Sequence, residues 1–187
     1  TAIRTIIILI FSWLMVFVVG SFNTISDISN KTLIFLILSG LATGGSWLCY
    51  FKSLQLGDVN KVTPIDKSST ILTMILAFIM LGENLNITKM LGMIAIGIGT
   101  YMMIIKKDTD EKLIENNKWM FYAILSAVFA SLTSILGKIG ISGIESNLGS
   151  AIRTIVVLIM AWVVVFVTKK QNEIKDIDKK SWIFICL

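Results

Sequence analysis

The sequence has no histidine, one proline and two cysteines in 187 residues, and only 16% of it is charged. Without histidine the usual general base and most zinc sites have no residues to draw on, so neither a metal nor an organic cofactor is expected, and the chain is not read as an enzyme. Cys49 and Cys186 each lie within an apolar run and do not coincide in the internal repeat described below. They are read as small buried hydrophobes, not as a disulfide. What fills the space is apolar: 55% of residues are hydrophobic and the mean hydropathy is +0.83, against about 25% charged residues in ordinary soluble domains. This is the composition of an all-α membrane protein. The net charge of +5 is no nucleic-acid footprint, because the lysines sit in short loops between apolar runs.

Six runs approach the roughly 20 apolar residues a helix needs to cross a bilayer: Ala2 to Val19, Leu33 to Phe51, Val62 to Leu81, Met90 to Ile105, Trp119 to Ile139 and Ala151 to Thr168, with a seventh beginning at Ser181. The fourth is short and is expected either to tilt little or to extend at its Lys89 end. None shows the two-residue alternation of a membrane barrel.

The first 38 residues return at the far end. At an offset of 149 without gaps, Ala2-Ile3-Arg4-Thr5-Ile6 falls on Ala151-Ile152-Arg153-Thr154-Ile155, and Trp13, Phe17, Asn23, Asp27, Lys31 and Phe35 fall on identical partners, for 19 identities in 38 pairs. An internal repeat sets the organisation of a chain. Residues 1–106 read as a first copy lacking its opening helix, 107–118 as a charged hinge, and 119–187 as the start of a second copy. Extending the repeat at both ends gives a parent of roughly 290 residues, with about ten membrane helices. On this expectation 187 residues alone form an incomplete transporter, which another copy or half would complete.

One period holds five spans, and an odd number makes the second copy enter the membrane the other way up, as in transporters with inverted repeats. The loop at 20–31 has one lysine and its repeat partner at 169–180 has five. Threading the spans collects twelve Lys and Arg on one side against four on the other. The positive-inside rule makes the richer side, with the hinge, cytoplasmic.

The third span opens Lys61-Val62-Thr63-Pro64-Ile65-Asp66-Lys67-Ser68-Ser69-Thr70. A charge at the centre of a membrane helix costs about 2.5–3.5 kcal/mol, but Lys67 lies only roughly 9 Å beyond Lys61 along a helix. Lys67 either snorkels to the headgroups or, with Asp66 and Thr70, faces a wet cavity. Asp66, Thr70 and Thr73 share a helical face by spacing. Asp66 is the better candidate for proton coupling, and Lys67 for contact with an anionic solute. Adjacent on a helix, the two point about 100° apart and make a poor mutual pair.

In the second span, Gly40 and Gly44 beside Ser39 and Thr43 form a small-residue face for a close helix neighbour, and Gly92, Gly97 and Gly99 suggest the same in the fourth. Trp47 and Tyr50 are either an interfacial belt or aromatic walls for a solute. Arg4 and Arg153 occupy equivalent repeat positions near helix starts. Anchoring at the interface explains one of them, but inversion sets them on opposite sides, so a substrate or ion-pair role stays open.

These stretches together resemble a known family. Ser39 to Leu85, ending Leu81-Gly82-Glu83-Asn84-Leu85 after a helix carrying Pro64, is similar to the second half of an EamA domain of the drug/metabolite transporter superfamily. Tyr50-Phe51-Lys52-Ser53-Leu54, the turn at Gly57 and the glycines of Leu91 to Gly99 agree. The Ala-Ile-Arg-Thr and Pro-Ile-Asp-Lys wording resembles compact one-domain bacterial members, here duplicated. The resemblance implies two inverted five-helix halves, a central cavity, alternating access, and a multi-pass place in the bacterial plasma membrane. It also implies cytoplasmic termini, which would set the hinge outside, opposite to the lysine count. The function expected is secondary transport of a small metabolite or drug-like solute, with protons as the candidate coupling ion. The alternative is a membrane interaction or scaffold protein without transport.

Overall fold

A computed structural model describes residues 2–22, 25, 28–84, 86–105 and 118–167. Among these every regular element is helical: α1 (Ala2–Val19), α2 (Asn30–Leu56), α3 (Val59–Lys67), α4 (Ser69–Leu81), α5 (Ile87–Ile105), α6 (Lys118–Ile141) and α7 (Ser146–Val167). The expected hinge at 107–118, except Lys118, and the seventh apolar run from Ser181 lie outside the described residues. The helices at Asn30–Leu56, Val59–Leu81, Lys118–Ile141 and Ser146–Val167 are each long and apolar enough to span a membrane. α5 runs 19 residues and does include Lys89.

The distribution of side chains is that of a protein solvated by hydrocarbon. Buried positions are dominated by small and hydroxyl residues, with Ser39, Ser53, Ser126 and Ser131 fully covered, while Phe17 is 75% exposed and Ile87 72%. In water this would forfeit most of the hydrophobic driving force. In lipid, large apolar side chains gain nothing by leaving the solvent, and association comes from close packing and interhelical hydrogen bonds.

The chain divides into two compact units, one of residues 1–44 and 136–187, the other of residues 45–135. In the first, α1 and α7 pack along each other. Val16 near the end of α1 shares a buried cluster with Leu148 and Ala151 at the start of α7, so the two helices run antiparallel. Ser21, just beyond α1, donates its hydroxyl to Glu145 Oε2 at 2.9 Å. Glu145 in turn caps α7, accepting from the backbone N–H of Asn147 and of Leu148, each at 3.0 Å, which satisfies donors that a helix start leaves open. Those bonds, the Asn147 amide foremost, hold its carboxyl below the usual glutamate value.

Gly40 and Gly44 are where α2 meets α7. A Cβ at Gly40 would stand 2.5 Å from Val156 Cγ1, and one at Gly44 would collide with the Met160 side chain, so only glycine permits this approach. Gly140 of α6 abuts Leu36 in the same manner, with a would-be Cβ 2.9 Å from Leu36 Cδ2. By contrast a Cβ at Gly92 or Gly99 would meet nothing within 4 Å, and one at Gly97 only Ile71 Cδ1 at 3.9 Å. The packing role expected for the α5 glycines is therefore not seen within the described chain.

In the second unit, α5 packs on α3 and α4, and the latter part of α2 lies against the first part of α6. Ser53 Oγ donates to the Trp119 carbonyl at 2.7 Å, and Gly57 closes α2 where a Cβ would stand 2.8 Å from Trp119 Cβ. The third span, Val59–Leu81, carries one irregular residue. Ser68, at φ −63° and ψ −11°, lies between α3 and α4, and its N–H still reaches the Pro64 carbonyl at 3.0 Å. Its hydroxyl bonds the Ile65 carbonyl at 2.6 Å. Hydroxyls that bond back to a preceding carbonyl bend a helix. α4 then stops at Gly82, whose φ of 64° is the left-handed cap glycine favours. Beyond it Glu83 pairs with Lys89 at 3.0 Å.

Candidate functional site

Asp66 is a carboxylate within the apolar helix Val59–Leu81, and the fold gives it a partner. Asp58 starts α3 by accepting the Asn60 amide at 2.9 Å, and two turns on the helix delivers Asp66 with its side chain 15% exposed. Ser126 Oγ, from the middle of α6, donates to Asp66 Oδ1 at 2.6 Å, the length of a charge-assisted O–H···O bond. Ser126 is fully buried and Ser46 of α2 is 7% exposed. Their hydroxyl oxygens are 3.3 Å apart, and Ser46 Oγ also reaches the Ser126 carbonyl at 3.1 Å.

A hydroxyl has one proton to give. Ser126 Oγ has two acceptors in reach, Asp66 Oδ1 at 2.6 Å and the Ser46 carbonyl at 3.1 Å. The shorter, charged acceptor takes it. Ser46 Oγ has the Ser126 carbonyl at 3.1 Å and the Ser126 hydroxyl at 3.3 Å as acceptors, so the three side chains, contributed by α2, α6 and α3, form a cluster in which one serine bonds the carboxylate and the other lies beside it. Such a cluster fixes the orientation of the carboxylate. Neither serine was singled out from sequence. The available signal was a carboxylate within an apolar span, which requires a donor, together with hydroxyls in the facing spans.

The other candidates are dispersed. Lys67 Nζ stands 3.8 Å from Asp66 Oδ2 with its side chain 76% exposed. The two adjacent charges thus touch at the outer limit of an ion pair, which is the weak mutual geometry expected of neighbours on a helix. Thr70 does not join Asp66: it is exposed and its hydroxyl bonds the Lys67 carbonyl at 3.1 Å. Tyr50 Oη lies 3.4 Å from Thr63 Oγ1, tying α2 to α3 near the site. Trp47 is half-buried on α2. In the first unit Arg4 is exposed on α1, whereas its repeat counterpart Arg153 on α7 has a buried Nε with no hydrogen-bond partner. Repeat equivalence therefore does not give the two arginines equal surroundings. No group of three or more metal-ligating side chains occurs among the described residues.

The EamA-like transporter family matches residues 1–105, more than half of the chain. The chain belongs to this family. A relative from Sinorhizobium sp described as "Uncharacterized transporter in cobO 3'region" is 42% identical over 105 residues, covering 56% of this chain and 74% of the relative. No solved structure matches it.

The EamA match spans α1 to α5 and so contains Asp66, Ser46 and Tyr50, but Ser126 lies beyond it on α6. The carboxylate of the matched domain thus takes its donor from the helix that opens the second copy in the repeat reading. For this EamA chain the membrane-transporter class is established by family, and the serine–carboxylate contact is what its own geometry adds.

Proposed function

We propose that this EamA protein is a secondary transporter of a small metabolite or drug-like solute, working by alternating access in the bacterial plasma membrane and coupled to protons through Asp66. The observation that carries the coupling is the 2.6 Å bond from buried Ser126 to the Asp66 carboxylate, with Ser46 beside it. A carboxylate inside a span is costly and marks an ion pathway when it faces hydroxyls or water instead of a permanent cation. Here the nearest cation, Lys67, is mostly in solvent. The antiparallel packing of α1 on α7 supports the inverted-repeat reading, since those helices are repeat counterparts and inversion sets counterparts head to tail.

The test is proton movement in proteoliposomes that enclose a pH-sensitive dye, challenged with a panel of metabolites. Asp66→Asn keeps size and the capacity to accept from Ser126 but cannot bind a proton at the same atom. It should abolish solute-driven proton flux while helix content by circular dichroism stays at the wild-type level. Normal proton-coupled uptake by Asp66→Asn removes Asp66 from the mechanism.

A further inference from the structure

Arg153 sits eight residues into α7, inside a helix long and apolar enough to span the membrane. Its Nε is buried and has no hydrogen-bond partner, and among the described residues no carboxylate pairs with it. A guanidinium stays charged under all conditions a membrane protein meets. Arg153 as a whole is half-buried, and a charge within a membrane helix is costly unless it meets a counter-charge or water. Long arginines commonly relieve this by reaching to the headgroups, but a side chain whose Nε is sealed between helices has not done so along its stem.

Among the described residues the unit offers no uncommitted internal anion. The described part of this unit carries Arg4, Lys31, Lys138 and Arg153 against one carboxylate, Glu145. Glu145 is already committed to Ser21, Asn147 and Leu148. What lies next to the guanidinium is small and polar. A Cβ placed on Gly137 of α6 would stand 3.6 Å from Arg153 Nη1 and 3.2 Å from Ser39 Oγ, so glycine keeps that side of the fork uncrowded, with a buried hydroxyl across it.

We propose that Arg153 is the anchor of an oxyanion site, its two Nη groups taking a carboxylate or phosphate oxygen pair end-on while the buried Nε holds the stem in place, with Gly137 leaving the room. This deepens the transporter reading, on which it rests for its use, by naming the solute class as one that bears a carboxylate or phosphate. Arginine is suited to the task because its planar donors match both groups bidentately, which a lysine does not. The same chemistry could be supplied by the phosphate of an anionic lipid, and the experiment separates the two.

Binding is measured without transport, on the full chain in nanodiscs of phosphatidylcholine, by calorimetric titration with inorganic phosphate and with succinate. Saturable binding is expected for at least one of them. Arg153→Gln should weaken it by about tenfold or more and Arg153→Lys by several-fold, on the scale of losing a charge-assisted contact. Gly137→Ala retains every charge and should also weaken binding. Lys31→Gln, an exposed charge removed from the same unit, should not. If nanodiscs containing phosphatidylglycerol suppress the titration in wild type and not in Arg153→Gln, the lipid phosphate is the occupant and the oxyanion site stands. Equal titrations of wild type and Arg153→Gln, or no binding in either lipid together with no stabilisation by phosphatidylglycerol that depends on Arg153, overturns the proposal and leaves the Asp66 test untouched.

Discussion

Replacing Gly40 with alanine adds one methyl group, and the structure fixes what it meets. The new carbon would lie 2.5 Å from Val156 Cγ1 and 2.7 Å from Val156 Cβ, whereas carbon atoms rest at about 3.5–4.0 Å. Rotating Val156 moves Cγ1 away but cannot move its Cβ, which is fixed to the α7 backbone. The helices must therefore part by roughly 1 Å, and overpacking of this kind costs about 1–3 kcal/mol. The compensating changes are graded. Val156→Ala removes the Cγ1 clash and leaves the Cβ clash, so it should restore only part of the loss. Val156→Gly should remove the steric coupling, read as the interaction term of a double-mutant cycle. Gly92→Ala is the internal contrast: nothing lies within 4 Å of its would-be Cβ, and the better helix propensity of alanine should leave stability unchanged or raise it by up to about 1 kcal/mol. Unfolding by sodium dodecyl sulfate in mixed micelles, followed by helicity, measures every protein of the series, the single Val156 variants included. The reasoning fails if Gly40→Ala is as stable as wild type, or if Gly92→Ala loses as much as Gly40→Ala.

Other expectations follow from single contacts. Ser53→Ala deletes the bond to the Trp119 carbonyl and should cost about 1 kcal/mol in the same unfolding assay, with Ser134→Ala, an exposed hydroxyl on α6, near neutral. Glu145 is held below its ordinary pKa, so the stability it adds is complete above about pH 4.3, the unfolded value, and disappears as pH falls through the lowered folded value. An acid titration of helix unfolding should show this step in wild type and lack it in Glu145→Gln. Cysteines at Asn23 and Asn172, repeat partners outside the described residues, should be labelled by an impermeant thiol reagent from opposite faces of the membrane, and labelling of both from one face would end the inversion argument.

The helices could be read from apolar runs because in lipid the run itself is the constraint: backbone groups must bond internally for the whole crossing, whatever the neighbours do. Their ends could not. α2 extends to Asn30 and Leu56, since caps and polar flanks keep the helix going past the apolar stretch. The irregularity at Ser68 was also hidden, because the hydroxyl-to-carbonyl bond there leaves the hydropathy of Val62 to Leu81 uninterrupted. Asp66 was visible as a charge in the wrong solvent, but its donor is 60 positions away in sequence and is an ordinary serine until α6 is laid beside α3. Small-residue spacing marked Gly40 and Gly44 and Gly92 and Gly99 alike. Only the tertiary neighbour separates a close approach from open space, and that is not written in spacing.

The repeat makes a claim about α1 and α7 that can be pushed further. If one copy is carried onto the other by a two-fold rotation, any contact between the helices must occur twice, once with the roles of the copies exchanged. Trp13 and Ile152 both pack on the cluster of Val16, Leu148 and Ala151. At the offset of 149, the twin of Trp13 is Trp162 and the twin of Ile152 is Ile3. The rotation therefore places Trp162 near Ile3 at the opposite end of the helix pair, as antiparallel packing requires. In a chain with Cys49→Ser and Cys186→Ser, the pair Trp13→Cys with Ile152→Cys and the pair Trp162→Cys with Ile3→Cys should react with a short bifunctional maleimide to the same extent. Mixed pairs, Trp13→Cys with Ile3→Cys and Trp162→Cys with Ile152→Cys, lie within single helices about ten residues apart, or roughly 15 Å along the axis, and should not be bridged by a reagent shorter than that. Cross-linking of the first pair without the second would mean that the sequence repeat has lost its two-fold geometry, and that α1 and α7 meet as two unrelated helices.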